Sequence, residues 1–354
     1  MLALKYYKAG DMRLEEVEKP KAGEGEVVIK VAYASICGTD VEEYRFGPLW
    51  VNMDDPHPIT GKKAPYVLGH EFSGYIDEVG PGCKRLKVGD RVAVHPILAC
   101  GKCSNCKQGK NYICENIGCV GLHMDGGFEE YCLIQEKQVF KVPDNVDLRQ
   151  AAIPEPIGFC INSFNMFNLD MGDDVVIFGA GGIGLICIQI AKAAGAKKVI
   201  CVARREMRLE AARKMGADIV VDVDKEDYKK VIYEATEGKM ADLVVEATGS
   251  VNVLDQAFEV SKAGGKIGLL SVFCEDAKFD FKKIVNSGRT VIGGVAHNPV
   301  HFQTALQMLA DGRVNVEPLI SAEVDLKDSL DLGFDEYIKN KNKYIKMLIK
   351  PLDE

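Results

Sequence analysis

Four cysteines lie close together in the sequence, with a spacing that suits metal binding. They follow the pattern C-x2-C-x2-C-x7-C, and Gly101 and Gly109 allow the bends that so short a loop requires. Clustering of this kind in a chain that is not secreted indicates a metal rather than disulfides. Four thiolates suit a closed tetrahedral zinc with a structural role, and an iron–sulfur cluster is the alternative. The predicted ligands are Cys100, Cys103, Cys106 and Cys114.

A second set of possible metal ligands is dispersed along the chain. Cys37 lies in CGTD, His70 and Glu71 lie in GHE, and Glu155 lies in PEP. Taken alone, a cysteine or histidine of this kind is more often a buried core residue. Mixed sulfur, nitrogen and carboxylate ligands beside a nicotinamide site are nevertheless what a catalytic zinc with an open position uses. The set therefore predicts a catalytic zinc.

A glycine-rich turn follows the apolar run VVIF that starts at residue 175. The sequence GAGGIG leads from this predicted strand into LICIQIAKAAGA, which has a helical pattern. The first glycine allows the tight turn, the second lets a pyrophosphate approach the helix N-terminus, and the third allows close packing of helix and strand. This context predicts a dinucleotide site rather than an unoccupied glycine loop. Its residues are Gly179, Gly181, Gly182, Ile183 and Gly184.

The end of the next predicted strand indicates which nicotinamide nucleotide is bound. KVICVA ends at Ala203, where an NAD site normally places an acid on the ribose. Here Arg204 and Arg205 follow, with Arg208 one turn later, and cations at a helix start oppose its dipole unless an anion lies between them. The pattern favours NADP over NAD; the alternative is a solvated basic turn in which Glu206 replaces the acid.

Further residues of the nucleotide site are expected at the carboxyl edge of the same sheet, where nicotinamide would lie. The ends of two later predicted strands supply Thr248 and Leu270.

Two kinds of sequence pattern must position these residues. From Met1 to about Val142, Gly and Pro interrupt short alternating runs such as Val27 to Ala32, which predicts a β-rich part with long loops. From about Asp173, apolar runs of strand length alternate with helical stretches, which predicts βαβ units and a parallel sheet. A helix is expected over His301 to Ala310, and the Lys-rich tail from Leu326 is expected to return to the first domain.

Composition excludes several classes of protein. The 354 residues are 47% hydrophobic and 27% charged, which is typical of a folded enzyme of about two domains. The net charge of -8 includes no long basic block, so nucleic acid is not expected as a partner. Lys5 interrupts any early apolar region, and the uncharged run from Val175 to Ala191 is shorter than a membrane span. We expect a cytoplasmic protein without a membrane segment.

Taken together, these motifs resemble those of the zinc-dependent medium-chain alcohol dehydrogenases. The resemblance rests on CGTD at 37, GHEFSG at 69, GDRV at 89, the cysteine lobe and GAGGIG, and it extends over essentially the whole chain. Residues 44–74 are most similar to 2,3-butanediol dehydrogenases, which are close to sorbitol and threonine dehydrogenases. The resemblance implies an α/β fold with a discontinuous GroES-like catalytic domain, 1–156 and 295–354, and a Rossmann doubly wound domain, 157–294. It also implies an active site in the cleft and a homodimer or homotetramer.

The resemblance also implies roles for individual residues. Cys37 and His70 would hold the catalytic zinc, with Glu71 or Glu155 as the carboxylate ligand, and the two glutamates would exchange with water. Thr39 is placed to take the alcohol proton and pass it towards the ribose or Glu42. Two positions depart from the family pattern: Glu42 stands where a relay histidine is usual, and Asn162 stands near another usual histidine.

The function expected is hydride transfer between a secondary alcohol, a vicinal diol or polyol like 2,3-butanediol, and NADP. The apolar segment Phe46 to Met53, which contains the single tryptophan, is a possible wall of the substrate site, with simple packing as the alternative. Arg45 and the Lys62–Lys63 pair are the nearby cations that a sugar-phosphate substrate would need. A sugar-alcohol, sugar-phosphate or L-threonine dehydrogenase is the nearer alternative, and a non-catalytic nucleotide-binding protein is the distant one.

Overall fold

The structure is a computed structural model that describes residues 1–273 and 275–351. Residues 352–354 of the expected catalytic domain lie outside the described part of the chain. The chain forms two compact units. Unit 1 comprises Met1–Gly158, Ala296–Ala310 and the chain from Ile320, and unit 2 comprises Phe159–Val295 and Asp311–Leu319.

The first part of unit 1 is built from short strands, as its alternating runs predict. Helix α1 spans Gly38–Phe46 and helix α2 spans Ser104–Lys107. The strands are β1 (Leu2–Lys8), β2 (Asp11–Glu16), β3 (Glu26–Ser35), β4 (Tyr66–Val67), β5 (Phe72–Val79), β6 (Arg91–Val94), β7 (Ile97–Leu98), β8 (Gly118–Cys119), β9 (Tyr131–Gln135) and β10 (Val139–Lys141).

Unit 2 contains the βαβ alternation. Its elements follow the helix α3 (Pro154–Phe167), and they are β11 (Asp174–Phe178), α4 (Gly182–Ala193), β12 (Lys198–Ala203), α5 (Glu206–Lys214), β13 (Ile219–Asp222), α6 (Tyr228–Ala235), β14 (Ala241–Glu246), α7 (Val251–Val260), β15 (Ser261–Leu269), α8 (Lys282–Val285) and β16 (Thr290–Gly293). All pairs are parallel, in the order β13-β12-β11-β14-β15-β16. This is the doubly wound order, and it confirms the predicted parallel sheet.

The end of the chain returns to unit 1. Its elements are α9 (Pro299–Ala310), β17 (Ile320–Asp325), α10 (Glu336–Lys339) and β18 (Lys346–Lys350). A π-helix at Ser329–Asp335 lies between β17 and α10. Short 3-10 helices lie at Asn111–Ile113, Glu136–Gln138, Gln150–Ala152, Glu317–Leu319 and Leu326–Asp328. Within the described tail, β18 pairs antiparallel with β3, with Leu348 opposite Ser35.

Unit 1 is organised around β3. Strands β10, β6, β5, β3, β18 and β17 form the main sheet in that order, and β9 also pairs with β3. Val27, Ile29 and Val31, which alternate along β3, are fully buried and belong to the unit's apolar core. Because β3 ends at Ser35, two residues before Cys37, this strand places the first candidate ligand at the edge of the core.

The segment Asp311–Leu319 belongs to unit 2. The side chain of Gln189 forms hydrogen bonds with this segment. Its amide donates to the carbonyl of Asn315 at 2.9 Å and accepts from the backbone N–H of Asn315 at 2.7 Å. Among the described residues, no helix has the length and apolar character needed to cross a membrane.

Glu129 is a carboxyl group in the core of unit 1, beside a cavity of about 210 Å³. Burial, reinforced by the charge of Asp125, raises the pKa of Glu129 well above its usual value. The contribution of Glu129 to the stability of the native state is therefore greatest below the usual pKa of the acid and decreases as the pH rises towards the folded-state value.

Glu129→Gln removes this penalty. We expect the variant to match the wild-type protein near pH 4 and to become more stable than it above, by up to about 1.4 kcal/mol per pH unit between the two pKa values. Urea unfolding from pH 4 to pH 9 measures the difference. Glu18→Gln, at an exposed acid that lines the same cavity, is the control. A constant difference for Glu129→Gln across this range would contradict the prediction.

Candidate catalytic metal site and nucleotide site

Cys37 occupies the N-cap of α1, two residues after the end of β3. Its backbone N–H donates to Asp40 Oδ2 at 2.9 Å, which fixes the turn that presents the thiol. The Thr39 hydroxyl lies 3.8 Å from Cys37 Sγ. One local motif therefore places a candidate metal ligand and a candidate proton acceptor side by side.

His70 lies in the loop between β4 and β5, where its position depends on Gly69. Gly69 has φ +94°, and a Cβ there would lie 2.8 Å from the ring of Phe128. The buried His70 Nδ1 faces the buried Asp40 Oδ1 at 3.3 Å, although neither atom makes a well-aligned hydrogen bond to a described residue. A carboxylate beside one ring nitrogen orients the imidazole and leaves the other nitrogen for a metal.

The charges around His70 stabilise its protonated form when no cation is bound. Burial by itself would lower the pKa of His70, but the negative charges of Asp40 and Cys37 outweigh it and raise the pKa well above its usual value. This electrostatic environment attracts a cation. A divalent metal would take the place of the proton.

Glu71 is fully buried and forms an ion pair with Lys346 at the start of β18. Lys346 Nζ lies 2.8 Å from Glu71 Oε1 and 2.5 Å from Oε2, and it also donates to Ser35 Oγ at 3.2 Å. Burial would lower the pKa of Lys346, but the charges of Glu71 and Cys37 raise it above its usual value.

The structure brings three of the four predicted catalytic ligands together. One ligand atom from each of Cys37, His70 and Glu71 lies within 4.8 Å of the others. Glu155, in the first turn of α3, does not belong to this group, but the charges of His70 and Glu71 affect its pKa. Burial is the main cause that raises the pKa of Glu155 to about 7. The donor set of thiolate, imidazole and carboxylate fits zinc.

Two further side chains lie close to this cluster and were not predicted from the sequence. The Cys119 thiol, on β8, interacts electrostatically with His70, Glu155, Asp40 and Cys37, and burial raises its pKa to about 12. His297 is fully buried, with Nδ1 3.7 Å from Glu155 Oε1. Burial, followed by the charge of His95, holds the pKa of His297 well below its usual value. No motif includes either residue.

The residues at the two departures from the expected pattern have other partners. Glu42 lies 3.6 Å from Arg45 and 3.8 Å from Lys341, measured between the charged atoms, and it forms no hydrogen bond with Thr39 within the described residues. In unit 2, the Asn162 amide donates to the carbonyl of Val295 at 2.9 Å.

The cysteine lobe forms the second cluster of metal-binding side chains, in which one ligand atom of each cysteine lies within 4.8 Å of the others. Backbone N–H groups of Cys103 and Cys106 point at the sulfurs of Cys100 and Cys103 at 3.4 Å each. Gly101 and Gly109 adopt φ +70° and +74°, which confirms the expected bends.

The thiols of the lobe have divergent proton affinities. Backbone hydrogen bonds lower the pKa of Cys103 to about 6, whereas burial and the neighbouring thiols raise the pKa of Cys106 to about 12. A central cation would stabilise the thiolate form of Cys106 that burial disfavours. The lobe therefore fits a four-thiolate zinc.

The glycine turn of unit 2 has the geometry that its sequence predicts. Gly179 has φ +101°, and a Cβ on Gly184 would overlap the Gly179 carbonyl oxygen. Around the Cβ position of Gly181, by contrast, the nearest atom is Arg208 Nη1 at 3.8 Å, so the N-terminus of α4 has room for a phosphate. Gly182 and Ile183 begin α4.

A cavity of about 580 Å³ lies at the carboxyl ends of the strands of unit 2. Arg208 donates to the carbonyl of Ala180 at 2.9 Å, and Arg205 is held at φ +75°, a strained value for a residue with a side chain. Leu270 follows β15 and its N–H donates to the Glu246 carbonyl, but it does not line this cavity. The predicted residues that do line it are Gly179, Gly181, Ala203, Arg204, Arg205, Arg208 and Thr248.

Comparisons with known proteins agree with this geometry. Residues 23–144 match the alcohol dehydrogenase GroES-like domain, and residues 182–311 match the zinc-binding dehydrogenase family. The (R,R)-butanediol dehydrogenase of Bacillus subtilis is 36% identical over 99% of this chain and 100% of its own length. The L-threonine 3-dehydrogenase of Pyrococcus furiosus is 34% identical over 92% of this chain and 89% of its own.

Solved structures give the same result. The crystal structure of 2R,3R-butanediol dehydrogenase from Bacillus subtilis has a TM-score of 0.92 at 35% identity and covers 99% of both chains. A short chain alcohol dehydrogenase from E. coli CFT073 complexed with NADH has a TM-score of 0.87 at 29% identity, covering 99% of both chains. A putative zinc-binding dehydrogenase from Sinorhizobium meliloti 1021 bound to NADP has the same score at 28% identity, also covering 99% of both.

Asp40→Asn tests the orientation of His70. The amide can still accept from the Cys37 N–H, but it loses the charge beside His70 Nδ1, so we expect zinc affinity at this site to fall by about 10- to 100-fold. Competition with a chromophoric chelator measures the affinity. Glu16→Gln, at an exposed acid, is the control. Unchanged affinity in a folded Asp40→Asn protein would show that Asp40 does not support the site.

Cys103→Ser tests the lobe. With one thiolate removed, we expect the bound zinc to fall by about one equivalent per chain and the melting temperature to decrease, because metal binding at a structural site contributes to folding free energy. Elemental analysis and thermal unfolding measure these effects. Cys83→Ser is the matched control, because Cys83 lies outside both clusters. A Cys103→Ser protein with full zinc content would disprove the assignment.

Proposed function

The chain belongs to the zinc-dependent medium-chain alcohol dehydrogenase family, and from this premise we propose that it oxidises a vicinal diol or polyol, like 2,3-butanediol, with NADP. The observation that carries the proposal is the buried donor set of Cys37, His70 and a carboxylate, in a chain that also has a nucleotide cavity. When bound, zinc supplies a Lewis acid for the substrate oxygen and NADP supplies the hydride acceptor.

The residues of unit 1 hold the metal and move the proton. Cys37 and His70 bind the metal, and Asp40 keeps the His70 ring oriented. Thr39, 3.8 Å from the Cys37 sulfur, takes the alcohol proton through its hydroxyl. Glu42 lies close to Arg45 and Lys341, and these contacts disfavour it as the next proton acceptor.

The preference for NADP rests on the basic side of the cavity in unit 2. Arg204, Arg205 and Arg208 line it, and arginines suit charge-assisted hydrogen bonds to a ribose phosphate. The competing acid is engaged elsewhere: the Glu206 side chain is 69% exposed and lies 3.1 Å from Arg213. This arrangement supports a 2′-phosphate rather than a free ribose hydroxyl as the ligand.

The substrate is proposed to be small and uncharged. Glu43 is buried and accepts from the backbone N–H groups of Leu49 and Trp50, which holds the segment Phe46 to Met53 to helix α1. The cations that a sugar phosphate would need are engaged. Lys62 pairs with Asp125, Lys63 donates to the Asp54 carbonyl, and Arg45 lies near Glu42. These contacts disfavour the sugar-phosphate alternative.

A turnover screen tests the proposal. We expect the zinc-loaded protein to oxidise 2,3-butanediol stereoisomers faster than sorbitol, L-threonine or simple secondary alcohols, with NADP preferred over NAD. In Arg204→Ala we expect KM for NADP to rise by about tenfold with little change for NAD, since one charge-assisted contact is lost.

Lys214→Ala is the matched control, because this exposed cation also lies on α5, pairs with Glu210 rather than Glu206, and does not line the cavity. Faster turnover of L-threonine would move the substrate assignment to the threonine dehydrogenases. Equal use of NAD and NADP, unaffected by Arg204→Ala, would refute the cofactor assignment. Nucleotide binding without turnover of any alcohol would favour the non-catalytic alternative.

A further inference from the structure

A further cavity, with a basic lining, lies on the main sheet of unit 1. Its volume is about 470 Å³, and no residue of either metal-binding cluster lines it. Small-molecule sites are concave and usually measure about 300–1,000 Å³. Strands β3, β5, β6 and β18 contribute to its walls, together with the segment 147–149. The charged side chains of the lining are four cations and one acid, Lys30, Arg91, Arg149, Lys350 and Asp147.

The register of the sheet places a tyrosine between two of these cations. Lys30 of β3 lies opposite Tyr75 of β5, and Tyr75 lies opposite Arg91 of β6. Directly opposed residues of antiparallel strands present their side chains on the same face of the sheet. Because neighbouring strands are about 4.8 Å apart, both long cationic side chains can reach a ligand that lies on the tyrosine ring. Tyr75 is 43% exposed, so its ring is open to such a ligand.

The other two cations of the lining have acidic partners. The Arg149 guanidinium pairs with Glu323, and Lys350 Nζ lies 3.5 Å from Asp325 Oδ1. The acid of the lining, Asp147, accepts through Oδ1 from the backbone N–H three positions later, at 2.7 Å. Four cations against these three acids leave a net positive charge around the cavity.

The uncompensated charge belongs to Lys30 and Arg91. Within the described residues, neither side chain forms an ion pair with an acid. Arg91 donates from Nη1 to the carbonyl of Asp144 at 3.2 Å, and it also donates to the carbonyl of Val146. These bonds hold the guanidinium in place and use two of its five N–H groups, so the others can bind a ligand.

We propose that this cavity is a second ligand site, which binds a phosphate ester that carries a planar ring, of the kind that nucleoside monophosphates represent. The phosphate binds Lys30 and Arg91, and the ring stacks on Tyr75. A phosphate monoester has a charge of about -1.5 to -2 at pH 7, which suits two cations without acidic partners. Every base has a face that can stack on an aromatic side chain. The site goes beyond the proposed function, because it uses neither the metal ligands nor the nucleotide cavity of unit 2.

UMP is the probe, because it combines the phosphate with the ring. In isothermal titration calorimetry we expect Lys30→Ala to weaken UMP binding by about tenfold, since one charge-assisted contact is lost. Tyr75→Leu should weaken it by about tenfold because the stacking is lost, whereas Tyr75→Phe should bind UMP like the wild-type protein. Lys8→Ala is the control, because this exposed lysine lies on β1 and does not line the cavity.

Two fragments of UMP separate the contributions of the phosphate and the ring. We expect ribose 5-phosphate and uridine each to bind about tenfold or more weakly than UMP. Ribose 5-phosphate should lose affinity in Lys30→Ala but not in Tyr75→Leu, and uridine should show the reverse. If Tyr75→Leu does not fold, the comparison of UMP with ribose 5-phosphate on the wild-type protein still tests the stacking.

Arg204→Ala distinguishes this site from the nucleotide cavity of unit 2, which Arg204 lines. We expect this variant to bind UMP like the wild-type protein. A UMP affinity that falls in Arg204→Ala but not in Lys30→Ala would place the ligand in the nucleotide cavity and overturn the proposal. A folded wild-type protein that does not bind UMP, or that binds ribose 5-phosphate equally well, would also overturn it.

Discussion

The architecture of unit 1 depends on the requirement that buried charges be compensated. Asp40, Glu71 and Lys346 are all buried, and removing one partner of such a pair costs about 3–5 kcal/mol. Each comes from a different element: Asp40 from α1, Glu71 from the residue before β5, and Lys346 from the first residue of β18. These elements meet near the end of β3, where β18 pairs with that strand. The strand pairing that builds the unit thus also compensates its buried charges beside the candidate metal ligands.

A second constraint is close backbone approach, and it works alike in both units. Gly69 lies against the ring of Phe128, so any side chain at this position would displace the loop that carries His70. Gly184 lies against the carbonyl of Gly179, so any side chain there would push α4 away from β11 and close the space for a phosphate at its N-terminus. In each case the glycine has no chemistry of its own. Its missing side chain lets a neighbouring group, His70 or the N-terminus of α4, take the position in which it would bind a ligand.

Sequence reasoning succeeded where spacing alone determines geometry. The glycine turn and the cysteine lobe are local motifs, and their bends and strand-to-helix context follow from a few adjacent residues. Residues that meet only through tertiary contacts were harder to find. Cys37, His70 and the two glutamates could be selected only in combination, and Lys346, 275 residues from Glu71, could not be selected at all because nothing near it in the sequence marks it. Asp40 lay within a recognised motif, but its role depends on a contact with His70 that spacing does not reveal.

The departure at Asn162 shows that a histidine absent from one helix can be matched by a histidine from another part of the chain. The helix α3 has Asn162 where a histidine is usual, and that amide is bound to the carbonyl of Val295. Yet an imidazole still lies beside Glu155, because His297 enters unit 1 from a different segment of the chain. Gly158 makes this possible, since a Cβ there would lie 2.8 Å from the His297 ring. The position of a functional group is thus set by the space that neighbouring residues leave, and a motif read along one helix cannot account for a side chain supplied by another segment.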